Sequence, residues 1–80
     1  MLLEILTPEK SLLSAEVEAV HLPGSVMPFS VLKNHAPLIS MLSAGKVSWE
    51  KEGGEPGSIE VMGGFVEVKE NKVSVCIEPV

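Results

Sequence analysis

FVEVKENKVSVCIE, residues 65–78, is the stretch from which the fold can be read. Val66 and Val68 alternate with Phe65, Glu67 and Lys69, and Val73, Val75 and Ile77 alternate with Ser74, Cys76 and Glu78. A period of two with one polar face is what an antiparallel sheet with one buried side requires. Between the two runs, Glu70-Asn71 reads as a tight hairpin tip, with Asn71 tolerating the positive φ that such turns demand. KVSWE, residues 46–50, repeats the pattern: Val47 and Trp49 alternate with Lys46, Ser48 and Glu50.

Further strand-like runs lie between breaks on the N-terminal side of this stretch. LLEIL precedes Thr7-Pro8, EVEAVHL precedes Pro23-Gly24, FSVL precedes Lys33-Asn34, and SIEVM precedes Gly63-Gly64. Seven glycines and six prolines recur along the chain and leave no room for a long uninterrupted helix. Short strands at this spacing predict a β-sandwich or barrel. GGEPGS (residues 53–58) reads as a flexible hairpin loop, and APLISMLSA (residues 36–44) as either a strand or a short helical turn. The expected core is Val47, Trp49, Val66, Val68, Val73, Val75 and Ile77.

Eighty residues make one domain, residues 1–80, near the lower limit of what folds alone. Cys76 is the only cysteine, which suits a reducing compartment. The N-terminus has no basic flank, and Glu4 interrupts its apolar run, unlike a signal peptide. No stretch approaches the roughly 18 uninterrupted apolar residues of a spanning helix, so direct membrane insertion is not expected. A net charge of −5, with six scattered basic residues, argues against nucleic acid. A hydrophobic content of 45% and a mean hydropathy of +0.31 exceed what so small an interior can hide. An exposed apolar patch, and therefore a partner, is expected. Met27, Pro28 and Phe29 are candidates for it, or else strand core.

No catalytic constellation can be assembled. Gly45-Lys46 is followed by Val47 and preceded by Ser40 where a phosphate loop needs its opening glycine. No nucleophile elbow, Cys-x-x-Cys or His-Glu-x-x-His occurs. His21, His35 and Cys76 stand on three separate segments, and strand alternation turns Cys76 away from the core without a base beside it. His21 reads as a half-exposed sheet residue. Lys69, close to a hairpin tip, invites comparison with a lipoyl or biotinyl carrier lysine, but its neighbours Val68 and Glu70 do not match. The expectation is a chain with no catalytic residues, metal or cofactor.

HLPGSVMPFSVLKNHAPLISML, residues 21–42, resembles the signature of the ε subunit family of bacterial F-type ATP synthase, where Pro-Gly, Phe, Val-Leu and His-Ala-Pro-Leu recur at this spacing. LEILTPEKSLLSAEVEAVHLPG (residues 3–24) is similar to that family's opening strands, and GGFVEVKENKVSV (residues 63–75) to its closing strand and hairpin. The resemblance implies an all-β fold, a ten-stranded β-sandwich of two five-stranded sheets. It implies a non-catalytic rotor subunit that fastens γ to the c-ring and so couples proton-driven rotation to ATP synthesis in the αβ hexamer. The place implied is peripheral, on the cytoplasmic face of the bacterial plasma membrane. Carried onto this chain, Ser25, Val26, Met27 and Pro28 match the segment facing the c-ring, and His35, Ala36, Pro37 and Leu38 the segment packed toward γ. Pro37 biases Ala36 toward an extended conformation and stiffens that loop. Family members often have glycine where Met27 and Ser30 stand, which raises the question of a positive φ there. The family commonly continues into a regulatory helical hairpin, whereas this sequence reaches Val80 directly after its last strand, so no inhibitory arm and no ATP binding are expected. A free-standing adaptor using the same loops is the alternative.

Overall fold

The computed structural model describes all residues, Met1–Val80. It is built of strands alone: β1 (Leu2–Leu6), β2 (Ser11–Glu16), β3 (Ala19–Leu22), β4 (Phe29–Leu32), β5 (Leu38–Leu42), β6 (Gly45–Glu50), β7 (Gly57–Lys69) and β8 (Lys72–Pro79). No helix is long and apolar enough to cross a membrane.

The strands follow the hydrogen-bonded order β2-β1-β8-β7-β6-β3-β4, with β5 added to β7 off that path. The long strand β7 joins two layers. Its first half pairs with β6, from Gly57 to Val61, and its second half pairs with β5, from Gly64 to Val68. One layer is therefore β2-β1-β8-β7-β5 and the other β7-β6-β3-β4. Eight strands are present rather than the expected ten. SIEVM and FVEVK, read as two strands broken at Gly63-Gly64, are one strand that bends there. Gly64 adopts φ 141°, and a Cβ on it would fall 2.1 Å from the Cys76 carbonyl oxygen. Only glycine lets β7 turn this corner while staying paired to β8.

Rows of inward side chains cross the first layer in register. Leu3, Val73, Val68 and Leu38 form one row, and Ile5, Val75 and Val66 lie in the next. These meet Val20, Leu22, Val31, Val47 and Val61 from the second layer in one core cluster. No polar side chain is buried. Burying a branched aliphatic side chain contributes about 1.5–3 kcal/mol, so this cluster is the main source of stability for so short a chain.

Two expectations need correction. Trp49 is only half-buried, because it stands at the end of β6, opposite Gly57, where the hairpin opens into its exposed loop. EVEAVHL is not one strand: β2 ends at Glu16, the chain turns through Val17 and Glu18, and β3 starts at Ala19. Within the ambiguous residues 36–44, Leu38–Leu42 form strand β5. At the β7–β8 tip, Glu70 and Asn71 both have positive φ, 51° and 60°, the signature of the tight primed turn.

Candidate docking surface

The molecule has an open side between two of its edge strands, β4 in one layer and β5 in the other. The β3–β4 loop folds along this side. The Ser25 N–H donates to the Met41 carbonyl at 2.9 Å and the Ser43 N–H to the Pro23 carbonyl at 2.8 Å, so the loop is stitched to the outer edge of β5. Gly24 permits the tight path, since a Cβ there would fall 2.4 Å from the Met27 carbonyl oxygen. Neither Met27 nor Ser30 has a positive φ, so the route requires no glycine at either position.

Of the c-ring candidates, Ser25, Val26, Met27 and Pro28 are all exposed, and Val26 is 97% open to solvent. Val26 and Met27 line a groove of about 360 Å³ with Phe29, Leu38, Ile39 and Ser40. Leu38, a γ candidate, therefore stands beside the c-ring candidates. It faces inward in register with Val68 and is half-buried against the core, so it supports the fold as well as the surface. His35, Ala36 and Pro37 lie on the adjacent β4–β5 loop, outside the groove.

That loop is ordered by short-range and long-range bonds. The His35 N–H donates to the Leu32 carbonyl at 3.2 Å, closing a turn in which Asn34 has φ 61°. His35 Nδ1 donates to the Ala36 carbonyl at 2.7 Å. In the neutral ring this fixes the tautomer, with Nε2 left as the acceptor. One ring nitrogen of His35 thus pins the loop, and the other makes no hydrogen bond within the chain. Lys33 Nζ reaches Glu18 Oε1 at 3.1 Å. The hydrogen-bonded ammonium holds the Glu18 carboxyl below its ordinary value, and Glu18 holds Lys33 above its own.

Sequence reasoning missed part of the surface. Ile39, Met41 and Phe65 are 73%, 62% and 46% exposed, and Met41 and Phe65 are directly paired on the outer face of the first layer. Treating residues 36–44 as a strand would have placed Ile39 and Met41 on one face and Leu38 and Leu42 on the other. His21 Nδ1 lies 2.7 Å from Ser30 Oγ, and its Nε2 contacts the Glu50 carboxylate. The order Ser-His-Glu imitates a hydrolytic triad, but the His21 and Glu50 side chains are 42% and 59% exposed. Electrostatic stabilisation of a reaction needs a water-excluded site, so the array serves as a cross-strand pin across β4, β3 and β6.

Comparison with known proteins agrees with this architecture. Residues 1–80 match the family described as ATP synthase, Delta/Epsilon chain, beta-sandwich domain. The chain is 44% identical over 78 residues to the ATP synthase epsilon chain of Maridesulfovibrio salexigens, covering 98% of this chain and 54% of that one. It is 40% identical over 78 residues to that of Chlorobaculum tepidum, covering 98% and 89%. Among solved structures it superimposes on a chain of the Euglena gracilis mitochondrial ATP synthase (OSCP/F1/c-ring, rotational state 1) with a TM-score of 0.86 and 25% identity, over 94% of this chain and 48% of that one. A chain of the Tetrahymena thermophila mitochondrial ATP synthase central stalk and c-ring gives 0.80 at 14% identity, over 96% and 62%, a likeness of fold. The chain spans about half the length of most of the curated relatives it matches. Sequence and fold together make it a member of the ATP synthase delta/epsilon family, corresponding to that family's β-sandwich domain.

Proposed function

We propose that this chain is a non-catalytic rotor element of an F-type ATP synthase, held at the foot of the central stalk. In this reading it fastens γ to the c-ring, so that proton-driven ring rotation reaches the αβ hexamer as torque. It is peripheral, on the cytoplasmic face of the bacterial plasma membrane. The observation that carries the reading is family membership across residues 1–80, with relatives named ATP synthase epsilon chain. The solved Euglena relative belongs to an assembly that contains a c-ring. The open side adds physical support: apolar side chains at Val26, Met27 and Ile39 remain in water, at a cost that a partner surface would remove.

Ser25, Val26, Met27 and Pro28 meet the c-ring loops, and His35, Ala36, Pro37 and Leu38 meet γ. The preformed turn at Leu32–His35 limits the conformational entropy lost on docking. A pull-down from membranes with the tagged chain tests the reading. Recovery of γ together with c subunits is the expected result. Recovery of a different partner, without γ, would return the chain to the role of a general adaptor.

A further inference from the structure

We propose that Asn71, at the β7–β8 tip, is the residue that positions the docking loop at 33–38, although it lies 37 positions from Asn34 in sequence. The proposal rests on the docking role given to that loop. Within the Leu32–His35 turn, the His35 N–H is satisfied by the Leu32 carbonyl, but the turn supplies no acceptor for the Asn34 N–H. Asn71 Oδ1 accepts a hydrogen bond from that N–H at 2.9 Å. Asn34 has φ 61°, a left-handed position that asparagine tolerates, so the Asn71 bond acts by holding the Asn34 N–H rather than by relieving backbone strain.

Asn71 is a rigid platform for this bond. Its φ of 60° is fixed by the primed turn, the flanking Lys69 and Lys72 are paired, and its carbonyl accepts the Leu2 N–H at 3.2 Å. The tip thereby extends the core ladder of β1, β7 and β8 to the docking loop. Asparagine at a left-handed position is explained by the backbone alone, so the side-chain role must be separated from it. Two substitutions do so. Asn71→Gly keeps the turn and removes the acceptor, and Asn71→Asp keeps an acceptor at the same reach.

The test uses the full chain and purified γ. Amide exchange at Asn34 is followed by NMR in the free chain, and γ affinity by calorimetry, for wild type, both Asn71 variants and His35→Ala. In Asn71→Gly, Asn34 exchange is expected to rise, and γ affinity to fall, by about three- to tenfold, the scale of one hydrogen bond. Asn71→Asp restores both, and both variants melt near the wild type. Unchanged exchange in Asn71→Gly overturns the clamp itself. Faster exchange with unchanged affinity, where His35→Ala does weaken binding, overturns its part in docking. If His35→Ala binds γ as tightly as wild type, the docking reading fails first and takes the positioning role with it.

Discussion

The inward face of β7 and β8 and the open side between β4 and β5 are made of the same kinds of residue, set in opposite surroundings. Val66, Val68, Val73, Val75 and Ile77 are at most 1% exposed, whereas Val26, Met27 and Ile39 are 65–97% exposed. The first set stands at every second position of two paired strands, and the second sits on a loop and on the outer face of an edge strand. Hydrophobicity alone does not distinguish them; the backbone does. The contrast separates a region that holds the domain together from one kept rigid but uncovered.

The contrast breaks most severely at the bend of β7. Gly64→Val places a branched side chain against the Cys76 carbonyl at a backbone angle valine does not adopt. A loss of more than about 3 kcal/mol, enough to abolish the cooperative transition, is expected in chemical denaturation. Val75→Ala, in the sealed row with Ile5 and Val66, is expected to cost about 1–3 kcal/mol and to lower the melting midpoint clearly. An unmoved midpoint would mean that the inward register is misassigned by one residue.

On the open side the same kind of change acts differently. Val26→Asp leaves stability within about 0.5 kcal/mol of wild type, because the side chain is already in water. Recovery of the c subunits in a membrane pull-down is expected to drop by about tenfold, since a carboxylate would have to be buried unpaired. Leu38→Asp is a poorer probe, because this half-buried residue also packs on the core and its loss mixes folding with binding.

Smaller effects sharpen the boundary between the two regions. Glu70→Asn replaces a residue that tolerates φ 51° poorly with one that tolerates it well, and is expected to gain about 0.5–1 kcal/mol in thermal unfolding. The smallest effect is electrostatic. The Glu18 carboxyl, held down by Lys33, contributes stability that is present above its ordinary value of 4.5 and lost as pH falls through the lower folded value. Lys33, held up, contributes below its ordinary 10.5 and loses that contribution as pH rises through its higher folded value. Both groups are partly exposed, so the loop-anchoring effect is weak and shrinks with salt. Exchange of the Lys33 and Asn34 amides against pH, with Glu18→Gln as control, measures it.

The fold was legible where alternation is strict. Val73, Val75 and Ile77 announce their face in the sequence, and Glu70-Asn71 announces its turn. It was illegible where tertiary pairing overrides pattern. SLLSAE does not alternate cleanly, yet it forms β2 because β1 offers it an edge, with the register shifting between Ile5 and Leu6. Gly63-Gly64 looks like a break, and only the ladder to β8 turns it into a bend. The candidate segments at residues 25–28 and 35–38 came from a resemblance. Their juxtaposition through Leu38, and the tie from Asn71 to Asn34, depend on contacts between distant segments that no local pattern encodes.

In the proposed function γ and the c-ring are met through the open side, while the remaining outer faces stay in water. Hydrogen-exchange mass spectrometry of the chain, free and reassembled with γ and the c-ring, distinguishes the two kinds of face. Protection concentrated in residues 25–28 and 33–38, with the Thr7–Lys10 turn and the exposed loop at 51–56 unchanged, is the predicted footprint. Protection at those latter turns, with 25–28 and 33–38 exchanging as in the free chain, would contradict it.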